Sequence, residues 1–139
     1  MAPVLDFPTV TAARANLKDI LDAADEHLPV TVRRDGRMSV VLDADRLRGL
    51  LAKAVPARAE LVAEAGGWSV LLPGLPIAGD GPTVEAAIAD AVDALREYAQ
   101  DWITDQDLRR ALNHRDNDTV VAMAALSTDD QLRAWINGE

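Results

Sequence analysis

The chain contains no cysteine, which excludes disulfides and thiolate metal sites. Histidine is almost missing as well. His27 and His114 stand far apart with no ligand-like neighbours, and both read as surface or structural residues. No apolar run approaches the roughly 18 residues of a membrane span. The opening stretch, MAPVLDFPTVTAAR, lacks the basic start and apolar core of a secretory signal. A soluble, cytoplasmic protein with no membrane partner is therefore expected. There is no P-loop, no GxSxG elbow and no HExxH, so neither enzyme activity nor a cofactor or metal is expected. Asp105, Asp107, Asp116 and Asp118 come nearest to a cation site, but they lack the loop glycine and closing glutamate of a calcium loop. Helix caps or a solvated face account for them better.

The 139 residues leave room for one domain or two very small ones, and an apolar content of 49% is ordinary for a globular chain. The formal net charge of −9 is unevenly spread. Residues 1–55 hold eight Lys/Arg and eight Asp/Glu, whereas residues 56–139 hold six and fifteen. The whole imbalance lies in the later part, which suits a partner with a basic surface. Within the neutral part, Arg33, Arg34 and Arg37 crowd together, and a local field is what matters for phosphate contact.

The stretch from Thr11 to Leu51 has the clearest organisation. Ala13, Leu17, Ile20, Leu21 and Ala24 recur at three and four residues, one face of a helix, with Thr11 as N-cap. Pro29 stops that pattern. Val30 and Val32 alternate with Thr31 and Arg33 as in a half-buried strand. Asp35-Gly36 is a strong hairpin signal, and Met38, Val40 and Leu42 form the return strand. Asp43 caps a further helix carrying Leu47, Leu50, Leu51 and Ala54. Ahead of all this, Val4 to Val10 forms a short strand, which Pro3 and Pro8 confine to an edge. Lys53 to Arg58 reads as a linker in which Pro56 ends the helix.

The pattern of Thr11, Ala13, Arg14, Asn16 and Leu17, followed by Pro29, Val30, Val32, Arg34 and Gly36, resembles the N-terminal domain of the Phd/YefM antitoxins over about the first 55 residues. The resemblance implies a β-α-β-β-α dimerisation module that binds operator DNA, with Arg14 and Arg34 on phosphates and base edges. The hairpin turn is one residue short of some relatives, so Arg33 is an alternative to Arg34, and Arg37 completes the candidate set. Arg14 near a helix start is ill-placed for the helix dipole, a misfit that favours a functional role, although a salt bridge would also explain it. The arginines could equally be residues that blunt an edge strand.

A second unit begins near Arg58. Ala59 to Ala63 and Trp68 to Leu72 are candidate strands around a Gly66-Gly67 turn, Pro73 to Pro76 is irregular, and Gly79, Gly81 and Pro82 form a loop. A long helix follows from Thr83, with Val84, Ile88, Ala91, Val92, Leu95, Tyr98, Ala99 and Trp102 along one stripe. Gly67-Trp68, Pro73 to Pro76, and Gly81, Thr83, Glu85 and Ala86 make residues 59–103 resemble the HicB-like antitoxin domain. The combination also looks like antitoxins paired with RelE-type toxins.

Residues 104–139 read as two or three short helices. Thr104 and Asp105 start one with Leu108, Ala111 and Leu112. Asn117 or Asp118 starts another, and STDDQ from Ser127 carries a capping signature before Leu132, Trp135 and Ile136.

The expected architecture is thus α+β: a Phd/YefM-like module over 1–55, an acidic HicB-like β-β-α unit over 56–103, and a helical tail over 104–139 that binds a toxin. Trp102, Leu108, Leu112, Leu132, Trp135 and Ile136 are its candidate anchors; Trp135 and Ile136 either pack back onto the core or anchor in a partner's groove as an amphipathic helix, and Trp68, Trp102 and Trp135 are more often core than interface. The expected function is an antitoxin of a type II toxin–antitoxin system. It would neutralise a toxin encoded nearby, a RelE-like ribonuclease, and repress its own operon as a homodimer or a higher-order complex on operator DNA. The alternatives are a solitary repressor, an interaction module that only dimerises, and a small ligand-binding domain around the Trp68 to Gly81 loop.

Overall fold

The computed structural model describes residues 5–139. Among them are seven α-helices, a 3-10 turn and two three-stranded sheets, an α+β fold. The chain divides into two compact units, Met1–Leu47 and Arg48–Glu139.

In the first unit, β1 (Leu5–Phe7) runs parallel to β2 (Val30–Arg34), and β2 pairs antiparallel with β3 (Arg37–Val41). Val4 and Pro3 lie outside the described residues. The expected single helix is two, α1 (Val10–Ala15) and α2 (Leu17–Asp25). Asn16 breaks it: its side-chain amide donates to the Ala12 carbonyl at 2.8 Å, offering the backbone an alternative to a continuous helix. The N-cap is Thr9, whose hydroxyl accepts from the Ala12 amide at 3.1 Å, because the helix begins at Val10, ahead of Thr11. Helix α2 ends before Pro29. His27 sits at a left-handed φ of 63°, the His27 amide donates to the Ala24 carbonyl and the Leu28 amide to that of Ala23. This is a Schellman stop with histidine where glycine is usual. At the hairpin, Asp35 and Gly36 both take positive φ, 51° and 77°, as a two-residue primed turn requires. The core here is small: Ala13, Ile20, Ala23 and Val30 are buried, with Phe7, Val32 and Val41 packed beside them.

Helix α3 (Ala44–Ala54) starts at the Asp43 cap, whose carboxylate accepts from the Arg46 amide at 3.0 Å, and it carries the boundary between the units. The second unit has strands β4 (Glu60–Glu64), β5 (Gly67–Leu72) and β6 (Ile77–Gly81) in that order, all antiparallel. The expected β-β-α unit is therefore β-β-β-α. Gly79 and Gly81 look like loop residues, yet they form a strand pressed against helix α4 (Val84–Thr104). A Cβ at Gly79 would collide with the Ala87 carbonyl oxygen, and one at Gly81 would lie 2.6 Å from the Ala87 amide nitrogen. Only glycine permits that approach. Pro73 to Pro76 is a tight turn with Gly74 at φ 81°.

Thr83 caps α4 by accepting from the Ala86 amide. Helix α4 buries Ala87, Ile88, Ala91, Val92, Leu95, Tyr98 and Ala99. Helices α5 (Gln106–Arg110), α6 (Asp118–Ala125) and α7 (Asp129–Asn137) follow. Residues 104–139 share one core with the sheet and α4, since Val121, Met123, Ala124, Leu132, Trp135 and Ile136 join Val70, Leu72, Ile77 and Leu95. The segment read as a linker is packed too: Ala57 is buried, and the Trp135 indole N–H donates to the Val55 carbonyl at 2.9 Å. Thr128 and Gln131 form a reciprocal capping box at the start of α7.

Candidate functional site

Side chains directly opposite one another across a sheet share a face, and the register of the first hairpin therefore sorts its arginines. Arg34 faces Arg37, and Val32 faces Ser39, on the side where Val32 packs against the helices. Arg33 faces Met38 on the other side. There Arg33 donates to Asp6 at 3.2 Å, and the Thr31 hydroxyl donates to the same carboxylate at 2.6 Å. The Thr31 hydrogen bond, then Arg33, hold the Asp6 carboxyl below its usual range. Arg33 is thus paired with an acid, on the face opposite Arg34 and Arg37.

Arg34 and Arg37 are different. Two cations directly opposite one another destabilise a hairpin, and the nearest acid to Arg34 is Asp35 at 4.0 Å, both side chains being largely in water (78% and 91% exposed). Among the described residues neither Arg14 nor Arg37 has an ion-pair partner. The pair lines an open depression of about 770 Å³ together with Val10, Val32, Asp35 and Ser39. Arg14 is exposed and one helical turn beyond Val10, hence on the same stripe of α1. Because α1 is only six residues long, Arg14 falls in its last turn. That position suits the helix dipole, so the expected misfit is absent. Ser39 was legible from strand alternation, whereas the role of Asp6 depends on a parallel pairing about which local pattern says nothing.

In the second unit the candidate anchors separate by burial. Leu132, Trp135 and Ile136 are core residues. Leu108 and Trp102 are half-buried, and Leu112 is 78% exposed. The Arg109 guanidinium lies 5.9 Å from the Trp102 ring centre and donates to the Trp102 and Ile103 carbonyls, closing the end of α4. His114 has a structural place: its Nδ1 is 2.9 Å from the Tyr98 hydroxyl, which also accepts from Asn117. Asp105 caps α5, and Asp118 accepts from the Thr119 amide. The Trp68 to Gly81 segment, a candidate ligand loop in sequence, is the β5–β6 hairpin.

The first unit thus exposes two opposed arginines, and the excess of acidic residues lies in the sequence after residue 55. The chain matches a family model, PHD_like, described as the antitoxin of toxin–antitoxin, RelE / RelB, TA system, over residues 4–136. It belongs to that antitoxin family, which points to a non-enzymatic regulatory protein with a toxin as its partner. No curated protein matches the chain. A crystal structure from Syntrophomonas wolfei subsp. wolfei, described as the antitoxin part of a candidate toxin/antitoxin system, has the same fold. Its TM-score is 0.79 at 21% identity, over 96% of each chain.

Proposed function

We propose that the first unit is a Phd/YefM-type module that dimerises and binds operator DNA, so that the antitoxin represses its own operon. The second unit, with its HicB-like resemblance, neutralises a cognate RelE-like ribonuclease by direct binding. The observation that carries the DNA reading is the Arg34–Arg37 pair, two cations directly opposite one another, of which Arg34 has only the largely exposed Asp35 at 4.0 Å and Arg37 has no ion-pair partner among the described residues. A phosphate between them removes their mutual repulsion, and Arg14 and Ser39 extend the contact along the backbone.

Dimerisation is supported by what the first unit leaves uncovered. Met38 is 60% exposed and Val40 54%, side by side on the face opposite the helices, and Leu17 and Leu21 lie exposed along α2. A unit this small with so thin a core gains stability from a second copy. Toxin contact is assigned to Leu112, Leu108 and Trp102, whereas Leu132, Trp135 and Ile136 serve the fold. The excess of acids after residue 56 steers a basic toxin to this surface.

The test is a gel-shift titration with DNA from upstream of the chain's own gene, at several salt concentrations. Arg34→Ala with Arg37→Ala should cut affinity by about tenfold or more and reduce the salt slope by about 0.9 for each phosphate that the variant no longer neutralises. Arg33→Ala should do much less. Equal losses from all three arginines would mean that both faces of the hairpin meet DNA, no loss would place the DNA face elsewhere, and wild-type protein that never shifts the DNA would leave only the dimerisation role.

A further inference from the structure

The second sheet ends in a strand whose outer edge pairs with no other strand among the described residues. All five residues of β4, Glu60 to Glu64, are exposed, and among the described residues β4 pairs only with β5. Its outer edge has no proline and no lysine, two of the usual devices that blunt such an edge. Alternation puts Glu60, Val62 and Glu64 on one face and Leu61 and Ala63 on the other. Leu61 is 49% exposed and Val62 40%, so apolar surface lies open on both faces at the middle of the strand, with a carboxylate toward each end of one face.

The charges decide what fits. If β4 paired antiparallel with the β4 of a second copy over its full length, Glu60 of each would face Glu64 of the other. Like charges in that position are destabilising. A shifted register that used Arg58 is closed off, because Arg58 takes a left-handed φ of 50° and leaves the strand conformation just before β4. Nucleic acid is repelled by both glutamates.

We infer that the β4 edge receives an extended segment of the toxin, which adds a fourth strand to the sheet. The segment has a lysine or arginine at both ends of a five-residue stretch, opposite Glu60 and Glu64, and apolar residues between them against Leu61 and Val62. Main-chain hydrogen bonds supply affinity, and the alternating side chains supply selectivity. This deepens the toxin-binding reading above and rests on it.

The probe is the protein encoded by the adjacent reading frame, purified with the full-length chain. Amides of residues 60–64 should become protected from hydrogen exchange in the complex. Glu60→Lys with Glu64→Lys should weaken the complex at least tenfold and flatten its salt dependence. Both side chains are in water, so melting and DNA binding should not change. Glu60→Lys alone makes the edge self-complementary, and sedimentation should show added self-association. A complex that forms with β4 unprotected and is indifferent to the double variant overturns the inference while leaving the antitoxin reading intact. Failure of the wild-type chain to bind that protein at all overturns both.

Discussion

The two sheets have the same number of strands and very different support. In the first unit four buried apolar residues hold β1, β2 and β3 to two short helices. In the second, eighteen buried residues join three strands, the long α4 and the helices after it. Burial of apolar surface is the main favourable term in folding, so the second unit is the self-sufficient one. The first displays Met38, Val40, Leu17 and Leu21 to water, the surface that the proposed dimer would cover. The comparison also separates the kinds of surface. The first unit carries opposed arginines, and the second carries an open, glutamate-flanked edge.

The largest effects should come from the deep core. Leu132 is fully buried, and Leu132→Ala should cost about 3 to 5 kcal/mol in denaturant unfolding. All three tryptophans, Trp68, Trp102 and Trp135, belong to the second unit, so their fluorescence reports that unit. Leu112→Ala should change stability by less than about 0.5 kcal/mol and instead weaken the toxin complex. The opposite outcome, a stable Leu132 variant that fails to bind toxin, would return the last helix to the role of anchor.

A smaller loss is expected at Gly79. Its Cβ would run into backbone atoms of Ala87 and Ala91 in α4, and main chain cannot swing aside as a side chain can. Gly79→Ala should cost about 2 kcal/mol, again read by tryptophan fluorescence. The same change at Gly36 meets no atom; there the cost comes from the positive φ alone and falls on the first unit, which the tryptophans do not report.

Much of this organisation was legible in the sequence. The apolar stripe of α4, the primed turn at Asp35-Gly36 and the capping box at Thr128 follow from spacing and side-chain chemistry within a few residues. What escaped depended on distant neighbours. Strand β6 looked like a loop because Gly79 and Gly81 are turn residues by composition, and only the nearness of α4 explains them. The continuous stripe from Ala13 to Ala24 concealed a break, because periodicity does not register the Asn16 side chain competing for a carbonyl. At the candidate DNA site the alternation identified a cluster of arginines, but the separation of Arg33 from Arg34 and Arg37 required the register and the position of Asp6. For Trp135 and Ile136 the sequence leaves core packing and partner contact both open, because an amphipathic helix has the same pattern whether it packs on its own core or on a partner.

The smallest effect expected concerns that separation. The Asp6 carboxyl is held below its ordinary range by the Thr31 hydroxyl and by Arg33. A carboxyl depressed in the folded state adds stability that is fully present above its unfolded pKa, about 3.9, and is lost as pH falls through the folded value. Asp6→Asn removes that dependence. Hydrogen exchange at the β2 amides should be slightly faster in the variant at neutral pH, once corrected for the intrinsic rate, and the two proteins should converge as pH falls through the carboxylate range. The difference is small because the pair is exposed and screened by water. The same substitution releases Arg33, and its operator affinity tests the two faces of the hairpin directly. If only the Arg34–Arg37 face meets DNA, affinity stays within about twofold of wild type, a shift of about 0.4 kcal/mol. A larger rise would mean that Asp6 restrains a third DNA-contacting arginine, so that the two sides of the sheet do not differ as the register implies.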